Sequence, residues 1–487
     1  MSSIESSTLS RRSLLKGLAV ASAGGLAFSH LEVVRAAAPS KVDVVVIGAG
    51  AAGTMTATNL VKAGKSVVLL EANDRIGGRL MRGEIAGQPI DLGGQWVGPS
   101  QTKALEVAKE LGLKMYPTNV TGPFLIEHGG KMFKGFGLPT QDMTEFFKVV
   151  GTIDKLGAEI PLDARWTAPR AIEWDAITMQ TWFEQNATSP IVRDVMRAIV
   201  QAVFSVEPSQ LSLLEFLWYM KSGQGFNDIT GTAKGAQDSL FEQAFVSIPE
   251  LLAKALGDRV VLASPVRKIT QDDKGVTVIA DKGTWTADRV IITAPPPSVA
   301  RIEFDPVLPY LRRGLQQRMP MGAVIKCFVA YDKPFWREQG YSGQATLCSA
   351  QYGTFFDTTR PDNKHGVLSG FFDGEPAMRW ADRTMEERRA QVINDVAIAF
   401  GDAAKNPIDY KEQVWPKEPW SIGGYTSVAT PGTMTVFGTA LTAPVGRIHW
   451  AGTETSDIWS GYVDGALRSG DRVAKEVLDA MKVQGGS

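Results

Sequence analysis

A glycine-rich segment near the N-terminus has the residue types and spacing of a dinucleotide-binding turn. Gly48, Gly50 and Gly53 follow the pattern G-x-G-x-x-G, and Ala52 lies inside it. Glycines at these positions permit a tight turn and let backbone N–H groups at a helix N-terminus face a pyrophosphate. Glu71 follows Gly53 by 18 residues, which is close to where a carboxylate holds a ribose hydroxyl in such sites. The segment therefore predicts a site for a dinucleotide.

Two other positions could carry chemistry. Lys326 stands in the middle of the apolar, strand-like segment 321–329. Lysines are almost never fully buried unless they are paired or functional, so a functional lysine competes here with an exposed one on an edge strand. Tyr425 follows two adjacent glycines in the segment WSIGGYT at 420–426. Such glycines mark either a turn or a close approach to the backbone.

The elements around the first motif follow the order strand, turn, helix, strand. The β-branched segment 42–47 is typical of a buried parallel strand. A helix is predicted over 54–63, closed by Gly64, and a second strand over 66–70. A glycine-rich turn between a parallel strand and a helix predicts a Rossmann-like unit.

Composition excludes several classes of function. The 487 residues carry a net charge of −1, which gives no reason to expect nucleic acid or an anionic membrane as a partner. Two cysteines (Cys327 and Cys348) and four scattered histidines form no metal-ligand spacing, so no metal site is predicted. A chain of this length usually needs more than one hydrophobic core.

The N-terminus has the layout of an export signal. The segment SRRSLLK at 10–16 precedes the uncharged stretch 17–28, and small residues follow at 36–38. This order predicts a twin-arginine signal over 1–38 and a periplasmic protein. A membrane-spanning helix would need about 20 apolar residues, so we expect no membrane span in the mature chain.

Two longer motifs resemble the flavin-containing amine oxidase family, and monoamine oxidase in particular. They are E-A-x-x-R-x-G-G-R at 71–79 and D-L-G-G-Q-W-V-G-P at 91–99. The resemblance extends over about 41–482 and implies FAD as the cofactor. The cofactor contacts that it implies in this part of the chain, beyond those of the glycine motif, are Ala72, Arg79, Gly93, Gly94, Gln95, Trp96 and Val266.

The C-terminal third resembles the same family. The segment 450–466 is similar to its closing FAD motif, which implies contacts from Gly452, Glu454, Tyr462, Val463 and Ala466. A helix N-terminus there would stabilise negative charge on the reduced flavin.

The resemblance also implies the roles of the residues nearest the flavin ring. Trp415 stacks on the ring, and Tyr425 and Tyr462 form an aromatic cage for the amine. Lys326 is the lysine that the family links through water to flavin N5, and the resemblance implies that Lys326 and this water assist reoxidation of the flavin by oxygen. Gly424 occupies the position of the cysteine that bonds covalently to FAD in the animal enzymes, so we expect non-covalent FAD.

The expected fold is α/β, with two interleaved domains. A Rossmann-like FAD-binding domain is predicted from 40–118, 245–300 and 444–487. A substrate domain with a mixed sheet and helices, such as one at 385–400, is predicted from 119–244 and 301–443.

The function implied is oxidative deamination of a primary or secondary amine to an imine, with oxygen reduced to hydrogen peroxide. Three alternatives stay open: an amine dehydrogenase that passes electrons to a cytochrome c or quinone, an L-amino-acid oxidase, and a flavin-binding module without turnover. An amino-acid oxidase needs an arginine for the substrate carboxylate, and Arg360 and Arg379 are candidates. The sequence does not decide which amine is the substrate, which molecule accepts the electrons, or whether the protein forms a homodimer.

Overall fold

The structure is a computed structural model that describes residues 39–362 and 364–485. The predicted export signal at 1–38 lies outside the described residues. The strands, in chain order, are β1 (Ser40–Lys41), β2 (Val44–Ile47), β3 (Val67–Leu70), β4 (Arg82–Ile85), β5 (Gln88–Asp91), β6 (Trp96–Val97), β7 (Met115–Pro117), β8 (Leu125–His128), β9 (Lys131–Lys134), β10 (Ser239–Phe241), β11 (Val260–Val261), β12 (Val266–Gln271), β13 (Val276–Ala280), β14 (Gly283–Ala287), β15 (Arg289–Ile292), β16 (Glu303–Asp305), β17 (Val324–Tyr331), β18 (Ala345–Leu347), β19 (Thr354–Asp357), β20 (Gly366–Asp373), β21 (Asp409–Val414) and β22 (Ile448–Trp450).

The α-helices are α1 (Ala51–Lys62), α2 (Thr102–Glu110), α3 (Thr140–Ala158), α4 (Ala171–Ala176), α5 (Met179–Asn186), α6 (Pro190–Phe204), α7 (Leu213–Ser222), α8 (Phe226–Thr230), α9 (Ser247–Leu256), α10 (Pro296–Val299), α11 (Tyr310–Arg318), α12 (Phe335–Glu338), α13 (Glu375–Trp380), α14 (Met385–Phe400), α15 (Met434–Phe437) and α16 (Val463–Gly485). None of the helices in the described part of the chain is long and apolar enough to cross a membrane.

A five-stranded parallel sheet holds the glycine-rich turn. Its strand order is β11-β3-β2-β15-β22, with every pair parallel. The strands β2, β3 and β15 are buried along their whole length, as expected for Val- and Leu-rich parallel strands that are covered on both faces. Helices α1 and α16 pack against each other beside this sheet. All five strands come from the segments predicted to bind FAD, but the domain boundaries themselves stay a prediction.

A second, seven-stranded sheet has the order β21-β17-β20-β19-β18-β8-β9. Strand β17 is buried along its whole length and pairs antiparallel with β20 on one side and β21 on the other. Lys326 therefore lies on an internal strand, which excludes the edge-strand alternative. The helices α3 to α8 contribute to a separate apolar core.

The predicted elements agree with the structure except at their ends. Helix α1 begins at Ala51 rather than at Thr54, because Gly53 lies inside its first turn. The helix predicted at 385–400 is α14 with the same bounds, and it begins with a capping box in which Thr384 and Glu387 satisfy each other's backbone N–H groups. The last helix, α16, begins at Val463, so its N-terminus lies in the segment 450–466 as expected, and it includes Val473 and Val477.

Candidate active site

A cavity of about 390 Å³ lies at the carboxyl ends of the parallel strands. We call it the dinucleotide cavity, because most of the predicted cofactor contacts line it. They are Gly48, Gly50, Ala52, Glu71, Ala72, Arg79, Gly93, Gly94, Val266, Trp415, Gly452, Tyr462, Val463 and Ala466, together with Lys326, Gly424 and Tyr425. Ligands of open α/β sheets bind at this edge, where the strands end.

The turn between β2 and α1 packs so closely against its neighbours that only glycine fits at two of its positions. Gly48 has a φ of +101°, and a Cβ there would lie 2.5 Å from the Oγ1 of Thr293. A Cβ on Gly53 would lie 1.8 Å from the carbonyl oxygen of Gly48. Gly53 does not line the cavity, so its part is to let α1 pack close to the turn.

The N-terminus of α1 is available to an anion. Gly50 precedes the helix without a side-chain cap, and the first turn carries no acidic residue. The first N–H groups of a helix have no partner within it, and the helix dipole favours negative charge at this end. The turn therefore fits the pyrophosphate of FAD.

Glu71 is held at the end of β3 by backbone amides. Its carboxylate accepts hydrogen bonds from the N–H of Ala49 at 2.6 Å and from the N–H of Asn73 at 2.8 Å. Burial raises the pKa of Glu71, and these hydrogen bonds oppose the shift. The carboxylate is thus fixed in the cavity wall, where it can accept from a ribose hydroxyl.

Three residues that line this cavity were not predicted from the sequence. Ser298 donates to the carbonyl oxygen of Trp420 at 2.7 Å, and Arg301 donates to that of Pro419. Ser298, Arg301 and Trp420 all line the cavity. Ser298 and Arg301 follow the carboxyl end of a parallel strand, β15, and this position is the signal that could have revealed them.

A smaller cavity of about 200 Å³ adjoins the first. We call it the apolar cavity. Lys326, Tyr425 and Tyr462 line both cavities, and Gln95 and Trp96 line only this one. Its other walls are mostly aliphatic and aromatic, including Ala198, Ile199, Ala202, Val203, Ile229, Phe356 and Phe371. Among the residues that the structure describes, no Asp, Glu, Arg or His lines it.

Lys326 is buried and held by two carbonyl groups. Its Nζ donates to the backbone oxygen of Gly93 at 2.7 Å and to the Oε1 of Gln95. Burial lowers the pKa of Lys326 to about 7, and the charge of Asp91 acts in the opposite direction. Burial likewise raises the pKa of Asp91 to about 7. The lysine can therefore change its charge near neutral pH.

The two predicted cage tyrosines lie in aromatic surroundings. The ring of Tyr425 meets Phe371 edge to face at a centroid distance of 5.7 Å. The ring of Tyr462 meets Trp459 edge to face at 4.8 Å. The peptide bond between Gly424 and Tyr425 is cis. Both tyrosines border both cavities.

Asp373 lies behind Tyr425 and was not predicted from the sequence. Its Oδ1 accepts hydrogen bonds from the hydroxyl groups of Tyr425 at 3.3 Å and Ser205 at 3.2 Å. Burial, with a smaller contribution from the charge of Glu207, raises the pKa of Asp373 to about 8, and the hydrogen bonds from Ser205 and Tyr425 oppose the shift. A lone aspartate at the end of an apolar strand was the available signal, because carboxylates are seldom buried without a function or a partner.

Glu454 does not line either cavity. Its carboxylate forms an ion pair with Arg79 and accepts from the Thr426 hydroxyl at 3.1 Å and from the N–H of Ser427 at 3.2 Å. Arg79 in turn donates to the carbonyl oxygen of Tyr425 at 3.0 Å. Glu454 therefore positions the segment that carries Tyr425 rather than touching the dinucleotide cavity itself.

The two arginines considered as partners for an amino-acid carboxylate form ion pairs away from the two cavities. Arg360 pairs with Asp362 at 3.0 Å, and Arg379 pairs with Glu375 at 2.8 Å. Neither arginine is among the described residues that line the two cavities.

Comparison with known proteins shows the family of the chain. The family model for flavin containing amine oxidoreductases matches residues 51–478, so the chain belongs to that family. It is 38% identical over 449 residues to the flavin-containing amine oxidase of Danio rerio, covering 90% of this chain and 86% of that protein.

Solved structures show the same fold. The cyclohexylamine oxidase from Brevibacterium oxydans is 34% identical with a TM-score of 0.87, covering 91% of this chain and 99% of that one. A wild-type putrescine oxidase bound to putrescine is 31% identical with a TM-score of 0.87, covering 91% of this chain and 100% of that one. The chain is therefore an oxidoreductase that acts on amines, and its family implies FAD.

Proposed function

We propose that this enzyme oxidises apolar monoamines at FAD and that oxygen then accepts the electrons. The observation that carries the proposal is the composition of the apolar cavity, which shares Lys326, Tyr425 and Tyr462 with the dinucleotide cavity. An amine placed between these residues has its carbon skeleton against aliphatic and aromatic side chains.

The protein's contribution is orientation, desolvation and electrostatics. When bound, FAD supplies the acceptor for the electrons of a C–H bond next to nitrogen. Tyr425 and Tyr462 restrict how the amine approaches, and their ring faces favour its nitrogen. The apolar walls exclude water from the reacting C–H bond. The imine product then hydrolyses in water to an aldehyde or a ketone.

The apolar cavity disfavours two other substrate classes. A diamine would bring a second ammonium group, and an amino acid would bring a carboxylate. Burying either charge without a partner costs about 3–5 kcal/mol. The described lining of the apolar cavity has no Asp or Glu for a second ammonium group and no arginine for a carboxylate, and its one described cation, Lys326, already donates to Gly93 and Gln95. Cyclohexylamine, the substrate in the name of one structural relative, has no such second charge.

An anaerobic flavin-reduction assay tests the substrate class. Benzylamine and cyclohexylamine are expected to bleach the flavin, and putrescine and phenylalanine to do so at least about 100-fold more slowly at equal concentration. Putrescine reduction as fast as that of cyclohexylamine would overturn the monoamine assignment. Failure of every amine to bleach the flavin would favour a binding module without turnover.

The electron acceptor and the compartment are part of the same proposal. The arginine pair at 11–12 supports export to the periplasm by the twin-arginine route, where a cytochrome c is an alternative to oxygen. Comparing the rates at which oxygen and cytochrome c reoxidise the reduced enzyme separates the two acceptors. Replacing both Arg11 and Arg12 by lysine is expected to keep the protein out of the periplasmic fraction.

We also propose that FAD is held without a covalent bond. Gly424 lines the dinucleotide cavity and offers no sulfur. Acid precipitation of the protein is then expected to release all the yellow colour into the supernatant, and a yellow pellet would contradict this.

A further inference from the structure

Gln95 does not reach the dinucleotide cavity, although it belongs to a motif that implies cofactor contacts. Gln95 is 3% exposed, and its side chain contacts residues of the two neighbouring strands β17 and β20. On one side its Oε1 accepts from the Nζ of Lys326, and on the other its Nε2 donates to the Oγ of Ser369 at 3.1 Å. Because a lysine ammonium can only donate, the amide oxygen faces Lys326, and the amide nitrogen is left to donate to the hydroxyl of Ser369, which can accept.

The two acceptors determine the direction of Nζ. A tetrahedral amine nitrogen has four positions, of which one is the bond to Cε. The carbonyl of Gly93 and the Oε1 of Gln95 take two more. Lys326 borders both cavities. The fourth position on Nζ is therefore the one that can contact a water or a reactant in these cavities. That position carries an N–H in the ammonium form and a lone pair in the neutral form.

We propose that Gln95 is a positioning residue for Lys326: its carboxamide, anchored by Ser369, aims the free position of Nζ at the junction of the two cavities. The link to flavin reoxidation rests on the function proposed above. The contact itself is independent of which amine the enzyme oxidises.

The hydrogen bond to Gln95 affects whether Lys326 is charged, because few of the other groups around Nζ are polar. Aromatic rings of Trp96, Phe328 and Phe371 lie with centroids 5.5, 5.1 and 5.7 Å from Nζ. Asp91 is the charged group whose field acts on Lys326, and Tyr425 and Tyr462 are titratable groups on the same cavities, with pKa values that burial raises. A carbonyl acceptor binds an ammonium more strongly than an amine. Gln95 therefore favours the charged form against burial.

Three variants test the proposal. Gln95→Leu removes the acceptor, and Gln95→Glu keeps the acceptor and adds a negative charge. Gln316→Leu is the matched control, since Gln316 is also buried but lies on α11 and borders neither cavity. Thermal unfolding and FAD content establish that each variant is folded.

The first measurement is the pKa of Lys326 itself, by ¹³C NMR of protein labelled at lysine Cε. The signal is assigned by its loss in Lys326→Met. We expect the pKa to fall by about one unit or more in Gln95→Leu, to rise by at least as much in Gln95→Glu, and to stay unchanged in Gln316→Leu. Wild-type values in both Gln95 variants would overturn the proposal.

The second measurement is reoxidation of the holoenzyme after reduction with dithionite, mixed with oxygen over a range of pH. Gln95→Leu is expected to slow reoxidation at least about tenfold, because misplacing a reacting group by 1 Å costs up to about 100-fold. In Gln95→Glu the pH at which the rate changes is expected to move upward. A shifted pKa with an unchanged rate would overturn the positioning role.

Dithionite makes this experiment independent of the amine. If no amine bleaches the wild-type flavin but both Gln95 variants behave as expected, the proposed substrate reaction fails and the role of Gln95 stands. If amines bleach the flavin and the variants behave like Gln316→Leu, the role of Gln95 fails and the proposed function stands.

Discussion

The side chains nearest the reaction derive their properties from burial. Lys326 and Asp91 are both removed from water, and burial brings the pKa of each to about 7. Asp373 is buried behind Tyr425, with a pKa raised to about 8. Of these three groups only Lys326 lines the two cavities, and a residue with a strongly shifted pKa in a cleft is typical of functional sites. The sequence motifs pointed to Lys326 and Tyr425, whereas Asp373 was recognised only from its contacts in the structure.

Replacing Lys326 by methionine tests the role of its amino group. We expect flavin reoxidation to slow about 100-fold, which is typical for the loss of one preorganised polar group. FAD content is expected to stay near that of the wild type, because the glycine turn, Glu71 and α16 are untouched. Stopped-flow absorbance of the reduced enzyme mixed with oxygen measures the rate. An unchanged rate would remove the role assigned to Lys326.

Replacing Asp373 by asparagine is expected to stabilise the protein in a pH-dependent way. The native pKa is raised above the ordinary value of 3.8 to about 8, so the native state binds more protons than the unfolded state between these values. The contribution of Asp373 to the free energy of unfolding is therefore greatest at low pH and decreases as the pH rises towards 8.

Asparagine keeps an oxygen that accepts from Tyr425 but cannot ionise. The unfolding free energy of the variant therefore does not decrease with pH through this residue. The difference in melting temperature between Asp373→Asn and the wild type is expected to be small at pH 5 and to favour the variant increasingly up to pH 8. Ser205→Ala, which removes a neutral donor to the same carboxylate, serves as the comparison. A difference that does not change with pH would contradict the prediction.

At the scale of elements, the site depends on how closely α1 approaches the turn after β2. The turn is bonded to the next segment of the motif, since the N–H of Gly77 donates to the carbonyl of Ala49 at 3.0 Å. Helix α16 packs on α1 and presents Val463 and Ala466 to the same cavity. Two helix N-termini thus face one ligand, which favours its negative charge.

Gly53→Ala tests this close packing. The added Cβ would lie 1.8 Å from the oxygen of Gly48, so α1 must move away from the turn. We expect a loss of about 1–3 kcal/mol in unfolding free energy and purification with little FAD. Gly151→Ala is the control, because nothing lies within 4 Å of that position in α3. It is expected to stabilise the protein by about 0.5–1 kcal/mol and to leave FAD content unchanged.

At the scale of the whole molecule, the dinucleotide cavity joins the parallel sheet to the seven-stranded one. Gly48 and Glu71 follow strands of the first sheet, whereas Lys326 lies on the second, and Trp415 follows its strand β21. A ligand that fills this cavity contacts both sheets. FAD is therefore expected to stabilise the folded chain as well as to react.

Thermal unfolding of the apoprotein at increasing FAD concentration measures this coupling. Above the dissociation constant, each tenfold increase in free FAD is expected to add about 1.4 kcal/mol to the unfolding free energy. Riboflavin, which lacks the pyrophosphate and adenine, is expected to give a smaller shift. Equal shifts from FAD and riboflavin would mean that the glycine turn contributes little to binding.

Much of the fold could be predicted, because local sequence dictates local structure. The β-branched segments became buried parallel strands, and a Thr–x–x–Glu capping box marks the start of α14. The predicted start of α1 was wrong by three residues, since Gly53, a residue type that usually lies outside helices, here lies within the first turn. Ser298, Arg301 and Trp420 could not be assigned, because they form one wall only after distant segments meet.

The sequence by itself determined the parts whose chemistry is carried by short, contiguous motifs: the pyrophosphate turn, Glu71, and the identities of Lys326, Tyr425 and Tyr462. The tertiary structure decided what surrounds them. The pairing of the strands and the residues that they bury decided three points. They place Lys326 on an internal strand, direct Gln95 to the lysine instead of the dinucleotide cavity, and bring Asp373 next to Tyr425. Those contacts join residues more than 50 positions apart in the chain, and only packing brings such residues together and removes the water that would otherwise screen them.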